Sequence, residues 1–173
     1  MAYVFVSRPN DLKNEFETAH VKFEAFLRTY TFKPKTLGRN SYSLNNPLDA
    51  VINLMRSCSG AIILGYPQHT FSTRIIKGSG VEFNKCMSFP TPWNQIEGVL
   101  AYRLDLPMLV IAHAEISGGI FDRGVLGRFI FTADLGNPQW FHKKDKLTIF
   151  KLWKKEVEEY GKKKSFHQFR RRA

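Results

Sequence analysis

The chain has 173 residues, 43% of them hydrophobic and 24% charged, with a formal net charge of +11. That length accommodates one domain with a real core, and the lack of any run of about 18 apolar residues excludes a transmembrane helix. Two cysteines, Cys58 and Cys86, are too few for a disulfide framework and show no CxxC spacing, so free thiols in a reducing, cytoplasmic setting are expected.

Residues 3–7 (Tyr-Val-Phe-Val-Ser) predict a short buried strand. Arg8-Pro9-Asn10-Asp11 breaks it, and Asn10 or Asp11 is placed to cap a helix. That helix is expected from about residue 12 to 30, with Phe16, Ala19, Phe23, Phe26 and Leu27 at helical spacing. Residues 32–37 predict a second strand, and Pro34 inside it points to a sheet edge. Residues 38–46 are loop chemistry. A helix over 47–58 comes next, with Asn46 as its N-cap, Pro47 at its first position, and Leu48, Val51, Ile52 and Met55 as the inner face. Residues 61–66 read as an apolar strand ending in Gly65-Tyr66. Residues 66–91 form a long loop containing Gly78-Ser79-Gly80, and loops of that length in compact domains are commonly functional.

A helix then starts at Pro92 and carries Trp93-Asn94-Gln95-Ile96-Glu97-Gly98. Trp93, Glu97 and Ala101 share one face, and Ile96, Leu100 and Leu104 form an adjacent apolar stripe. Glu97 is expected at the stripe's edge beside a tryptophan, where drying raises a carboxyl pKa. Residues 106–112 predict a buried parallel strand. Residues 114–128 are a glycine-bearing loop and 129–132 a last strand. A final amphipathic helix is expected over 144–160, with Phe150, Trp153, Val157 and Tyr160 inward.

The alternation of strands and helices predicts an α/β fold with a mainly parallel central sheet covered on both faces. Ligands of such sheets bind beyond the carboxyl ends of the strands. Loops 7–11, 38–46, 65–91 and 112–128 would share that rim, bringing Ser7, Arg8, Tyr66, Trp93, Asn94 and Glu97 within reach of one another.

Val4-Phe5-Val6-Ser7 followed by Arg8-Pro9-Asn10-Asp11 resembles the opening of TIR domains. Trp93-Asn94-Gln95-Ile96-Glu97 resembles the TIR motif in which a tryptophan stands four residues before the active-site glutamate; Asn94 stands where many TIR domains have cysteine. Glu97-Gly98 leading through Tyr102 to Leu106-Pro107 also looks like nucleoside 2-deoxyribosyltransferases, although Ser88-Phe89-Pro90-Thr91-Pro92 replaces their Asp-x-Gly run. The resemblance covers roughly residues 3–112 in pattern. It implies a flavodoxin-like, TIR-like three-layer sandwich over residues 1–140, with the basic helix and tail of 141–173 packed on it or extending from it.

The resemblance also implies a function. Glu97 would act on the ribose bearing nicotinamide in NAD, giving NAD hydrolysis or ADP-ribose cyclisation, in bacterial antiviral defence signalling. Trp93 would shape the pocket. Self-assembly into a homo-oligomer, or a separate partner protein, would complete the site. In the deoxyribosyltransferases the same glutamate is a nucleophile on a nucleoside. A non-catalytic nucleotide-sensing or assembly module is the remaining alternative.

Cleaving an N-glycosidic bond builds positive charge on the sugar, which one carboxylate can stabilise or trap. Arg8 is the candidate for a diphosphate, Tyr66 for a base, Asn94 and Ser7 for polar substrate contacts, with Arg39 and Arg123 as further cations. The histidines lack ligand spacing, so no metal site is expected, and NAD is expected as a substrate rather than a resident cofactor. Residues 142–173 hold twelve Lys and Arg against four Asp and Glu, a net of +8 of the chain's +11. That basic tail, with Phe166 and Phe169 between its clusters, suits nucleic acid, an acidic surface, or simple solvation of a docked helix.

Overall fold

A computed structural model describes residues 2–38, 46–71, 74–75, 82–83, 87–114, 116–127 and 129–170. Arg39 and the rest of the 39–45 loop, Gly78-Ser79-Gly80, Cys86, Arg171 and Arg172 lie outside these, as do the side chains of Phe166, Phe169 and Arg170.

The elements run β1 (Ala2–Ser7), α1 (Asn14–Thr29), β2 (Phe32–Lys35), α2 (Pro47–Ser57), β3 (Gly60–Gly65), β4 (His69–Phe71), β5 (Arg74–Ile75), β6 (Glu82–Phe83), β7 (Met87–Phe89), α3 (Pro92–Arg103), β8 (Met108–Ala112), β9 (Ile130–Thr132) and α4 (Lys144–Arg170). Five strands form one parallel sheet in the order β2-β1-β3-β8-β9. This is the flavodoxin-like order, in which the chain reverses direction across the sheet between β1 and β3. β2 carries Pro34 and lies at the edge, as a strand with a missing N–H must.

Alternation along the strands makes two cores. Val4, Val6, Ile62, Leu64, Leu109 and Ile111 face α1 and α4, and Phe5, Ala61, Ile63, Val110 and Ala112 face α2, α3 and the 116–126 segment. The first core is aromatic: Phe26 alone lies 4.8 Å from Phe141 and 4.9 Å from Phe150, centroid to centroid. Phe150, Trp153 and Val157 bring α4 into that core, and Trp153 Nε1 donates to the Pro107 carbonyl at 3.0 Å.

α4 extends ten residues beyond the expected end at 160, so the basic stretch from Lys162 to Arg170 is helical. Lys164 Nζ donates to the carbonyls of Arg56 (2.5 Å) and Cys58 (2.8 Å), at the carboxyl end of α2, where a cation meets unsatisfied acceptors. Among the described residues no helix is long and apolar enough to cross a membrane.

Several local expectations are corrected. Lys13, not Asn10 or Asp11, precedes α1, and it makes no side-chain cap. Asn46 does cap α2, accepting from Asp49 N at 2.9 Å, but Leu48 is 46% exposed while Ala50 joins Val51 and Met55 inside. The stretch 66–91 carries two short antiparallel pairs, β4 with β7 and β5 with β6. On α3 the inner face is Asn94, Glu97, Gly98 and Ala101; Ile96, Val99 and Tyr102 face outward.

Two glycines separate close packing from mere permissiveness. A Cβ on Gly60 would meet Val157 Cγ2 at 2.6 Å, Trp153 Cζ2 at 3.2 Å and the Pro107 carbonyl at 3.3 Å, because α4 lies directly against β3 there. A Cβ on Gly161, inside α4, would meet only Ser59 at ordinary contact distances of 3.5 and 3.8 Å. Gly60→Ala is therefore expected to destabilise by about 1–3 kcal/mol through overpacking. Gly161→Ala is expected to stabilise by up to about 1 kcal/mol through helix propensity. Urea unfolding of the two variants beside the parent chain checks both signs.

Candidate active site

The site grows from the start of α3. Thr91 is its N-cap, accepting from Asn94 N at 3.2 Å, and Pro92 occupies the first turn at no hydrogen-bond cost. This start turns Asn94 and, one turn later, Glu97 toward the sheet. Ser7 closes β1 on the same side as Phe5, so its hydroxyl points into the α3 layer.

Four side chains, Thr91, Asn94, Ser7 and Glu97, form one directed chain of hydrogen bonds. Thr91 Oγ1 donates to Asn94 Oδ1 at 3.1 Å, and Asn94 Nδ2 donates to Ser7 Oγ at 2.7 Å. Ser7 Oγ then donates to Glu97 Oε2 in a short bond. The hydroxyl proton of Ser7 is thus committed to the carboxylate, and the order of donors fixes the amide orientation of Asn94. Ser7 and Asn94 are buried, and Glu97 is 8% exposed. Burial pushes the Glu97 carboxyl from an ordinary 4.5 up to about 7, against the downward pull of the Ser7 bond. Close to neutrality this group therefore exists in both protonation states.

Glu97 borders a cleft of about 470 Å³ at the carboxyl ends of β1, β2 and β3, where the sheet order reverses. Trp93, 44% exposed, stands at its rim. The loop after β1 contributes Arg8 to Asp11, the segment after β2 contributes Thr36 to Gly38, and α2 contributes Pro47 and Val51. Gln68 and Thr91 complete the lining.

Arg8 lines the cleft but is largely engaged. Its Nε donates to the Pro9 carbonyl at 2.7 Å, and Nη2 reaches the Asn10 carbonyl at 3.0 Å and Glu17 Oε2 at 2.8 Å. Its Nη1 is buried without a hydrogen-bond partner among the described residues. The guanidinium as a whole is buried, so Arg8 braces the loop after β1 and offers no open donor to a ligand in the cleft.

Of the expected site residues, the structure gathers Glu97, Ser7, Asn94, Trp93 and Arg8. Ser7 and Asn94 act on Glu97 rather than standing open as substrate contacts. Tyr66 is a correction. It is fully buried, meets Phe16 edge-on at 5.6 Å between centroids, and its hydroxyl lies 3.2 Å from His20 Nδ1. A ring packed into the α1 core has no face for a base. Arg123 is exposed on the 122–127 turn and lines no part of the cleft.

Asp11, Thr36 and Gln68 also line the cleft, although the sequence does not mark them as site candidates. The available signal was position alone, since Asp11 and Gln68 fall in rim loops that the topology marks. Asp11 matters chemically, because it places a second, exposed carboxyl on the cleft. Among the described residues no three His, Cys, Asp or Glu side chains converge as metal ligands do.

No family model matches the chain, and no curated protein matches it in sequence. A solved structure does match in fold: a CMP N-glycosidase of Clostridium botulinum, BcmB, aligns with a TM-score of 0.55 over 84% of this chain and 98% of that one, at 11% identity.

Proposed function

We propose that this protein cleaves the N-glycosidic bond of a nucleotide, with the Glu97 carboxylate acting at the anomeric carbon of the sugar. The observation that carries the proposal is a nearly buried glutamate on the floor of a rim cleft, oriented by a single hydroxyl donor, with no cationic side chain among the described residues bonded to it to neutralise it. Its fold neighbour, a CMP N-glycosidase, supports the same reaction class.

In this reading the sugar's C1 develops positive charge as the base departs. The ionised carboxylate stabilises that charge and closes on C1 to form a glycosyl ester, and the base leaves with the bond's electron pair and takes a proton from water in the open cleft. Water then attacks C1 and releases Glu97. Asn94 and Ser7 hold the carboxylate in place through both steps, and Trp93 walls the rim. The resemblance of Trp93-Asn94-Gln95-Ile96-Glu97 to the TIR motif supports a narrower form of this reading, with NAD as substrate. Trp93 and Glu97, the two positions of that motif, both line the cleft. Nicotinamide leaves as a neutral base from a cationic bond and needs no proton.

Purified protein incubated with CMP, the other nucleoside monophosphates, nucleosides and NAD, resolved by liquid chromatography, is expected to release a free base or nicotinamide. Glu97→Gln is expected to lose at least about 10³-fold of that turnover, consistent with removal of a group essential to covalent catalysis. Turnover unchanged in the variant would remove Glu97 from the mechanism.

The acid limb of kcat/KM should fall as pH drops through about 7, because only the carboxylate attacks. Ser7→Ala removes the bond that favours the charged form, so its acid limb should shift to higher pH.

Stability should move oppositely to activity. A folded pKa raised from 4.5 to about 7 means that the native state holds this proton more tightly than the unfolded chain. The contribution is fully present below about 4.5 and is lost as pH rises through 7. Glu97→Gln does not titrate, so its stability advantage should grow between pH 4.5 and 7 and level off above, at most on the order of 3 kcal/mol. Chemical denaturation at pH 5 and pH 8 checks the sign.

A further inference from the structure

A second surface lies at the other end of the sheet, around the amino ends of β1 and β2. There Ala2, Tyr3, Thr31 and Phe32 face Ser57, Ser59 and the α4 residues from Val157 to Ser165 across an open groove of about 850 Å³. Lys162 of α4 lines it, and Lys33 and Lys35 of the edge strand β2 reach the ring of Tyr3 at its border. Glu158 is the one carboxylate among the lining residues described, and it is bonded to Lys154 on its own helix.

The groove also presents an aromatic ring. Tyr3 is 41% exposed, with Lys35 Nζ 4.0 Å and Lys33 Nζ 5.8 Å from its centroid. Lys35 is also held near Ser57 Oγ, at 3.4 Å. Lys164 is fixed on the carbonyls of Arg56 and Cys58, which places its charge at the end of α2 and brings α4 close to that end.

The geometry points to single-stranded nucleic acid as the occupant of this groove, with phosphates on Lys33, Lys35 and Lys162 and a base against Tyr3. A cationic channel with an exposed aromatic is the arrangement that binds unpaired strands, since every base has a face to stack and every linkage a charge. An acidic membrane fits less well. A helix lying on lipid turns an apolar face outward. On α4, Phe150, Trp153 and Val157 are spent on the core, and among its described side chains Leu152 is the large apolar residue that stays exposed. This surface is remote from the Glu97 cleft in the fold, and its assignment does not rest on the glycosidase reading.

The test uses the full chain with fluorescein-labelled dT20 and U20 in anisotropy titrations from 50 to 300 mM salt. Binding is expected to weaken with salt, with a log–log slope steeper than about −2, since each phosphate engaged on a single strand contributes about −0.7. Lys33→Glu/Lys35→Glu should lose at least about tenfold in affinity and flatten the slope, and Tyr3→Ala should lose about fivefold or more without changing the slope. Lys13→Glu/Lys22→Glu, the same charge change at the start of α1 and on it, should retain most of the affinity. Circular dichroism melts confirm that each variant is folded. Absence of oligonucleotide binding by the parent chain would overturn the proposal. So would equal loss in the α1 variant, which would make the effect one of net charge. Binding confined to vesicles containing 30% phosphatidylserine would overturn it in favour of lipid.

Discussion

The bond from Ser7 to Glu97 is the constraint on which the rest of the site depends. A carboxylate taken out of water is unstable as an ion unless something compensates, and here the compensation is one hydroxyl. An arginine in that place would have fixed the charge and blunted its reactivity. Instead Arg8 is turned toward Glu17 and its own loop carbonyls, and Glu97 keeps a pKa near neutrality. The polar inner face of α3 makes sense in these terms. A helix that packed on the sheet for stability alone would bury Ile96 and Val99; this one buries Asn94 and Glu97 beside Ala101 and leaves Ile96 and Val99 exposed.

The fold supplies what that local arrangement cannot. Parallel strands end together at one rim, and the reversal of sheet order between β1 and β3 leaves a gap there. Ser7 and Arg8 are consecutive, yet strand alternation sends one to α3 and the other toward α1. The opposite end of the sheet is built differently, from an edge strand, the end of α2 and the long basic helix. Charge is segregated accordingly, with most of the net +11 carried by the last 32 residues while the acid sits at the rim cleft.

Much of this was legible in the sequence. Strand–helix alternation gave the parallel sheet, Pro34 gave the edge, Asn46-Pro47 gave the start of α2, and the spacing of Trp93 and Glu97 marked two residues that line the rim cleft. The failures have physical causes. Tyr66 reads as the junction of strand and rim loop, but its even position continues the inward set of Ile62 and Leu64. Hydrophobicity points the inner face of α3 toward Ile96, and a helix that buries Asn94 and Glu97 defeats that rule. β4 to β7 are too short and polar to give a period-2 signal. The role of Gly60 depends on Val157, almost a hundred positions away, and no local pattern encodes it.

The most direct test of the central claim is covalent trapping. The protein would be incubated with 2-deoxy-2-fluoroarabino analogues of the nucleoside monophosphates, whose fluorine slows release of the glycosyl ester more than it prevents its formation, and then digested for peptide mass spectrometry. The account predicts a fluorosugar phosphate attached to the peptide at Glu97, absent from Glu97→Gln. Base release with Glu97 unmodified, or an adduct on Asp11 instead, would contradict it.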